Sequence, residues 1–280
     1  MSIYLLTDSS AGFRLNEAAR RGVGVVPLRV QFGEEPYQED QEDPAGFYRK
    51  LAESKELPTT SQASPGDFLP YFERAKEGDD DLVCLTMASS LSGTYQSAMI
   101  AKEQCGYENI HLVDSTQTVL GLRLLVDLAC LLRDQGMNAS DIAAHLEQTK
   151  DRVRLLAVVD TLKYLHKGGR LSASVSIAGN LLKVKPIITL KNGELSMVSK
   201  GIGVKGSLTA LVKQIGGEWN KDSRLPVYYG YTGDDTLCCS LMEVMEETFG
   251  AHRKEVCPVG AVIGTHVGPG AAVVVYLEQA

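Results

Sequence analysis

Small hydroxyl side chains gather at Thr7–Ser10, Thr59–Ser61, Ser89–Thr94 and Ser115–Thr116. The densest group is Ser89, Ser90, Ser92 and Thr94, with Gly93 among them. It directly follows the apolar run Leu82–Met87 and precedes a helical pattern of Tyr95, Ala98, Met99 and Ala101. Strand, small-residue loop and helix start form the usual ligand corner of an open α/β sheet. Backbone N–H groups left over at a helix start, with hydroxyls beside them, suit a phosphate or a carboxylate. For Ser89 and Ser90 helix capping is the plainer reading. Ser92, next to Gly93, is the candidate that touches a ligand.

A catalytic reading of the same corner makes Ser92 a nucleophile and His266 its base, as in a serine hydrolase. That alternative lacks the nucleophile elbow, because Ser90 stands two before the serine where a glycine is required. A self-contained kinase is also poorly served, since the run from Gly201 to Ser207 has the wrong order and spacing for a phosphate loop. His111, His145, His166 and His252 show no metal-ligand spacing, and the six cysteines form no CxxC pair. Free thiols in a reducing cytosol are the expectation.

The elements that must carry these residues alternate in the first half. Strands are predicted at Ile3–Leu6, Val23–Phe32, Leu82–Met87 and Asn109–Val113. Helices are predicted at Arg14–Arg21, Pro44–Ser54, from Pro65, at Val119–Arg133, and at Asp141–Lys150 with Ser140 as cap. The acidic stretch Glu34–Asp43 reads as solvated surface. Three strands end alike, in TDSS, MASS and VDST, and parallel strands bring such ends to one sheet edge, a hydroxyl-lined rim. The second half is predicted to hold a strand at Arg154–Val159, an apolar helix over Val175–Leu182 and a hairpin turning at Asn192-Gly193. A helix at Leu208–Trp219, a strand at Val227–Tyr231 and a helix at Thr236–Phe249 follow. The end reads as a strand pair, Glu255–Ile263 and Ala271–Leu277, joined by a tight connection that exposes His266. The fold class is α/β: a parallel-sheet α/β/α domain over 1–150 and an α+β domain with a mixed sheet over 151–280.

Composition sets limits. A chain of 280 residues with 44% hydrophobic side chains has ample core for two domains. Its net charge of −7 argues against a non-specific nucleic-acid binder. The most apolar helix carries Arg123 and Asp127 and is too short to span a bilayer, so no stable membrane insertion is expected. MSIYLLTDSS has no basic region or long apolar run and reads as a first strand, which makes the expected location cytoplasmic.

TDSS, TTSQASP, SSLSGTYQSA, VDS, LKYLHKGGR, KVKPII and IGTHVGPGA resemble, in that order and spacing, the DegV family, and the likeness spans essentially the whole chain. The resemblance implies a bacterial two-domain α/β protein that binds one long-chain fatty acid and needs no other cofactor. It implies a partner as well: a separate ATP-dependent fatty acid kinase that turns the presented acid into an acyl phosphate for phospholipid synthesis. By the same likeness the carboxylate lies against Thr60 and Ser92, with Ser61 and Gly93 beside them. Arg170, from the GGR motif, and His266, from the last glycine-rich loop, fall in the head-group and phosphoryl neighbourhood. Ala63 departs from the proline common at that position.

The chemistry is consistent with these assignments. A carboxylate leaving bulk water must be hydrogen-bonded, and hydroxyls with helix-start N–H groups meet that need without a full countercharge. Arg170, always charged, and His266, switchable, are expected to neutralise the charge of the acyl phosphate. The tail supplies affinity at ~0.8 kcal/mol per buried methylene. Candidate walls for it are Val175, Ile177, Ala178, Leu181 and Leu182, and the strand Val259–Ile263.

Overall fold

The computed structural model describes residues 2–39, 43–171, 183–216 and 219–280. The chain opens with β1 (Ile3–Asp8), α1 (Leu15–Arg20), β2 (Val23–Val26), β3 (Arg29–Phe32), β4 (Glu35–Tyr37), α2 (Pro44–Glu53) and β5 (Thr59–Ser61). It continues through α3 (Pro65–Gly78), β6 (Asp81–Thr86), α4 (Thr94–Cys105), β7 (Ile110–Asp114), α5 (Val119–Asp134) and α6 (Ala139–Thr149). Then come β8 (Val153–Val158), α7 (Lys163–Lys167), β9 (Val184–Lys191), β10 (Glu194–Ile202) and α8 (Gly203–Ile215). The last elements are β11 (Val227–Tyr231), α9 (Thr236–Phe249), β12 (Lys254–Pro258), α10 (Ala261–Val267) and β13 (Ala272–Leu277).

Two compact units result. The first comprises Met1–Arg29 and Ser61–Asp151; the second, Val30–Thr60 and Arg152–Ala280. The chain passes into the second unit after Asp151, and the segment Val30–Thr60, expected in the N-terminal domain, groups with the C-terminal unit. Phe47, Tyr48 and Leu51 of α2 explain this, since they bury with Val30 and Ala261 in one core cluster. Pro27 marks the departure. Lacking an N–H it cannot continue a ladder, and the predicted strand Val23–Phe32 divides there into β2 and β3. The next amide, Leu28 N, donates to Ser9 Oγ at 2.9 Å.

The first unit is a parallel sheet in the order β2-β1-β6-β7. Parallel strands are covered on both faces and so read as continuous apolar runs; Leu82 to Leu85 are all buried. Leu6, Leu82 and Cys84 pack with Phe68 and Phe72 of α3 and Ala98 and Ala101 of α4. Because all three pairings are parallel, the ends of β1, β6 and β7 share one edge, as predicted. Helix α6 is capped by Asn138, whose side chain accepts Asp141 N at 2.9 Å, and not by Ser140.

The second unit holds a mixed sheet in the order β10-β9-β8-β13-β11-β12, with a small sheet ordered β4-β3-β5. The β9–β10 hairpin turns at Asn192 (φ 52°) and Gly193 (φ 78°), the left-handed pair that such two-residue turns require. The predicted terminal strand pair is not formed: β12 and β13 lie on opposite sides of β11, and α10 stands between them in the chain. The small residues Ala261 and Gly264 let this helix pack under α2, and a Cβ at Gly264 would come 2.6 Å from Tyr48 Oη. Helix α8 starts at Gly203, five residues before the predicted Leu208. Val175, Ile177, Ala178, Leu181 and Leu182 lie outside the described residues. Among the described residues no helix is long and apolar enough to cross a membrane.

Candidate functional site

In the first unit the apolar strand β6 delivers the loop from Met87 to Gly93 onto the start of α4. Ser92 is half-buried there. Its Oγ lies 2.9 Å from Thr94 Oγ1 and accepts Thr94 N at 3.3 Å, closing a local turn just ahead of the helix. Ser89 and Ser90 are exposed. Gly93 has an ordinary φ of −72°, and its missing side chain matters for space alone. Any Cβ there would overlap the amide group of Gln62. That amide donates to Ser97 Oγ at 3.1 Å and to the Gly93 carbonyl at 3.4 Å. The TSQ and SGT motifs therefore meet through Gln62, a residue that sequence reasoning quoted without giving it a role.

Ala63, the departure from the family pattern, is fully buried among Phe68 and Phe72 and removes no polar group. Ser61 is exposed and, by strand alternation, faces away from Thr60. The hydroxyls at the ends of β1 and β7 do not line a rim. Ser115 is fully buried, Ser9 Oγ takes Leu28 N, and Thr116 Oγ1 donates to the Ser115 carbonyl at 2.7 Å.

In the second unit Thr60, on β5, stands 2.8 Å from Nε2 of His266, on α10. His266 is not exposed on a loop, as predicted, but half-buried on a helix, because Ala261 to Val267 coil under α2. Burial, with a smaller effect from the Arg170 charge, pushes its pKa down to about 4. The imidazole is thus neutral at pH 7. Its Nδ1 is buried without a hydrogen-bond partner among the described residues. A buried orphan N–H costs more than an orphan lone pair. With the proton on Nε2 the ring donates to Thr60 Oγ1 and the threonine O–H stays available to donate.

The GGR motif builds the other wall. Gly168 has φ −75° but no room for a Cβ, which would overlap His266 Nδ1. Gly169 takes the left-handed φ of 69° that turns the chain after α7. Arg170 is half-buried, and its Nη1 donates to the Gly168 carbonyl at 2.6 Å. Two residues that sequence reasoning missed hold α10 in place. Tyr48 Oη donates to the Val259 carbonyl at 2.7 Å, and Glu39, in the exposed acidic stretch, accepts Ala261 N at 2.8 Å. Burial raises the Glu39 carboxyl above its ordinary value. No local sequence pattern links these residues to a helix some two hundred positions away.

The sequence profile described as "Uncharacterised protein, DegV family" matches residues 2–279. A DegV domain-containing protein of Halalkalibacterium halodurans is 36% identical over 275 residues, covering 96% of this chain and 95% of that one. Among solved structures, a DegV family protein from Thermus thermophilus described for its fatty acid binding matches with a TM-score of 0.89 at 30% identity, each chain fully covered. The Fatty Acid Kinase (Fak) B3 protein of Streptococcus pneumoniae, loaded with linoleic acid, shares the fold at a TM-score of 0.84 and 22% identity, again over both whole chains.

Proposed function

Because this chain belongs to the DegV family, we propose that it binds one long-chain fatty acid and presents it to a separate ATP-dependent fatty acid kinase for acyl phosphate formation. The observation that carries this reading is the Thr60–His266 pair. A hydroxyl held by a neutral imidazole has its own proton free to donate to an anion, without adding a countercharge. The family likeness assigns Ser92, at the start of α4, to the carboxylate as well, with Gly93 beside it. A carboxylate held by neutral donors keeps an oxygen lone pair available to attack the γ-phosphorus of ATP, with ADP as the leaving group. Val175, Ile177, Ala178, Leu181 and Leu182 are assigned to the acyl tail on their apolar spacing, and the protein is assigned to the cytoplasm as a soluble carrier.

In the ligand-free protein His266 is neutral at pH 7, so the permanent positive charge in the phosphoryl neighbourhood is that of Arg170. The hydrolase alternative is disfavoured by the partners each group already has. Ser92 Oγ is engaged with Thr94, His266 Nε2 with Thr60, and among the described residues no carboxylate meets Nδ1 to orient it as in a triad.

Denaturing mass spectrometry after mild purification tests the ligand class. About one co-purifying fatty acid per chain is expected, and a chain that neither carries nor takes up fatty acid refutes the reading. For the role of Arg170, Arg170→Ala is expected to retain the acid while losing kinase-dependent phosphorylation. Equal loss of both removes that role.

A further inference from the structure

Three consecutive amides open the loop that carries Ser92, and each goes to a different neighbour. Met87 N donates to Asp8 Oδ2 at 2.7 Å, Ala88 N to the Gln117 carbonyl at 2.7 Å, and Ser89 N to Asp114 Oδ1 at 3.2 Å. The Ala88 carbonyl then takes Leu91 N at 3.0 Å and Ser92 N at 3.2 Å, so Ser92 sits one backbone turn from the pinned residues. Asp8 and Asp114 are the last residues of β1 and β7, the strands on either side of β6. Each carboxylate also holds its own loop, Asp8 Oδ1 taking Ser10 N at 2.9 Å and Asp114 Oδ1 taking Thr116 N at 3.0 Å.

We infer that Asp8 and Asp114 are positioning residues which clamp the β6–α4 loop from both sides and thereby aim the Ser92 hydroxyl at the anionic head group. The inference rests on the fatty acid reading for its ligand and on the hydrogen bonds above for its geometry. It gives TDSS and VDST a role through their aspartates, since the hydroxyls of those motifs are buried or spent on their own backbone. Three amide bonds to fixed acceptors remove the freedom that a seven-residue loop of small side chains otherwise has.

The two aspartates bind differently, and that difference is the signature to test. Asp8 is fully buried and uses both oxygens, so an asparagine there sets its NH2 against a backbone N–H. Asp114 serves both of its amides with one oxygen, so an asparagine can keep both bonds with its carbonyl. Oleate affinity is to be measured for the wild type, Ser92→Ala, Asp8→Asn, Asp114→Asn, Asp114→Ala and the Asp114→Ala/Ser92→Ala double variant. Hydrogen exchange at the Met87 and Ser89 amides is to be followed in the ligand-free proteins. Loss of one such bond corresponds to about tenfold, so Asp114→Ala is expected to weaken oleate by about that factor and to speed Ser89 exchange. Asp114→Asn is expected within about twofold of wild type. In the Ser92→Ala background Asp114→Ala is expected to add nothing further.

An Asp114→Asn variant as weak as Asp114→Ala, a full additional loss in the double variant, or unchanged Ser89 exchange in Asp114→Ala overturns the clamp. If Asp8→Asn does not fold, the Asp114 pair decides alone. A wild-type protein that takes up no oleate refutes the fatty acid reading, and the exchange measurements still decide the clamp.

Discussion

The imidazole of His266 occupies the space in which residue 168 would carry a side chain, so Gly168 is what lets the ring reach Thr60. The backbone at Gly168, with φ −75°, is one that any residue adopts. The demand for glycine is therefore steric and comes from one neighbour. It explains why a GG pair precedes Arg170: the first glycine makes room for a ring, and the second makes the left-handed turn.

Gly168→Ala is accordingly expected to destabilise the protein by about 1–3 kcal/mol, as overpacking of a closed site does. The same substitution in a His266→Ala background is expected to cost less than about 1 kcal/mol, because the obstructing ring is gone. Urea unfolding of the four proteins measures this. Equal costs in both backgrounds show that the clash lies elsewhere, the Tyr164 carbonyl at 3.1 Å from the same Cβ being the next nearest group.

The depressed pKa of His266 has a definite sign for stability. Folded, the ring holds its proton only below about pH 4, whereas unfolded it does so below about 6.5. Between these values the unfolded chain binds more protons, so the contribution of His266 falls as pH falls, by at most about 1.4 kcal/mol per pH unit. Above about pH 7.5 it adds almost nothing to the slope. The unfolding free energy of the wild type minus that of His266→Asn is expected to be nearly flat above about pH 7.5 and to decline increasingly through about pH 6.5 towards 4.5. Other titrating carboxyls cancel in the difference. A difference that stays flat throughout shows an imidazole with an ordinary pKa.

Gln62 and Gly93 stand in a similar relation with a different consequence. The group that a Cβ at 93 meets is the far end of an exposed, flexible side chain, so Gly93→Ala can be accommodated by swinging Gln62 away. Stability is expected to change by less than about 0.5 kcal/mol. The Gln62–Ser97 bond is lost, and fatty acid affinity is expected to fall by the same factor as in Gln62→Ala. Isothermal titration of Gly93→Ala, Gln62→Ala and the double variant settles it. An affinity loss in Gly93→Ala that Gln62→Ala does not reproduce means that Gly93 meets the ligand directly.

Much of this arrangement was legible in the sequence because it is local. The apolar run ahead of Ser89–Thr94, the alternation around β1, β6 and β7, and the Asn192-Gly193 turn all express periodicity or turn chemistry within a few residues. What escaped is set by distant partners. Pro27 sits mid-run in an apolar stretch, and the division it makes follows only once Phe47 and Tyr48 have a core to join with Ala261. The stretch from Ala261 to Val267 is rich in small and β-branched residues and reads as a connection. It is a helix because Tyr48 and Glu39 hold its start. The clamp of Asp8 and Asp114 was hidden for a related reason: it depends on β6 lying between β1 and β7, which no local pattern in TDSS or VDST shows.

The buried charges of α5 lead to a last prediction. Arg123, which in sequence only lowers the hydropathy of this helix, is 2% exposed. Its guanidinium pairs with Glu17, donates to the Gly12 carbonyl at 3.3 Å, and lies 4.4 Å from the centre of the Phe13 ring. Its Nε is 4.0 Å from Asp127 Oδ2, and Arg21 pairs with both Asp127 and Glu17. Removing one partner from such a group leaves an uncompensated charge in a dry place, which costs about 3–5 kcal/mol. Because Glu17 reaches water at 20% side-chain exposure and Arg21 remains beside the acids, Arg123→Met is expected at the low end, about 3 kcal/mol. Arg123→Lys keeps the charge but not the fork, and is expected to cost about half as much. Both are read from urea unfolding, with fatty acid affinity measured where the variants remain folded. That affinity is expected to be unchanged, since the ion pairs of this network tie α1 to α5. A Met variant within about 0.5 kcal/mol of wild type shows that Arg21 alone neutralises the two acids.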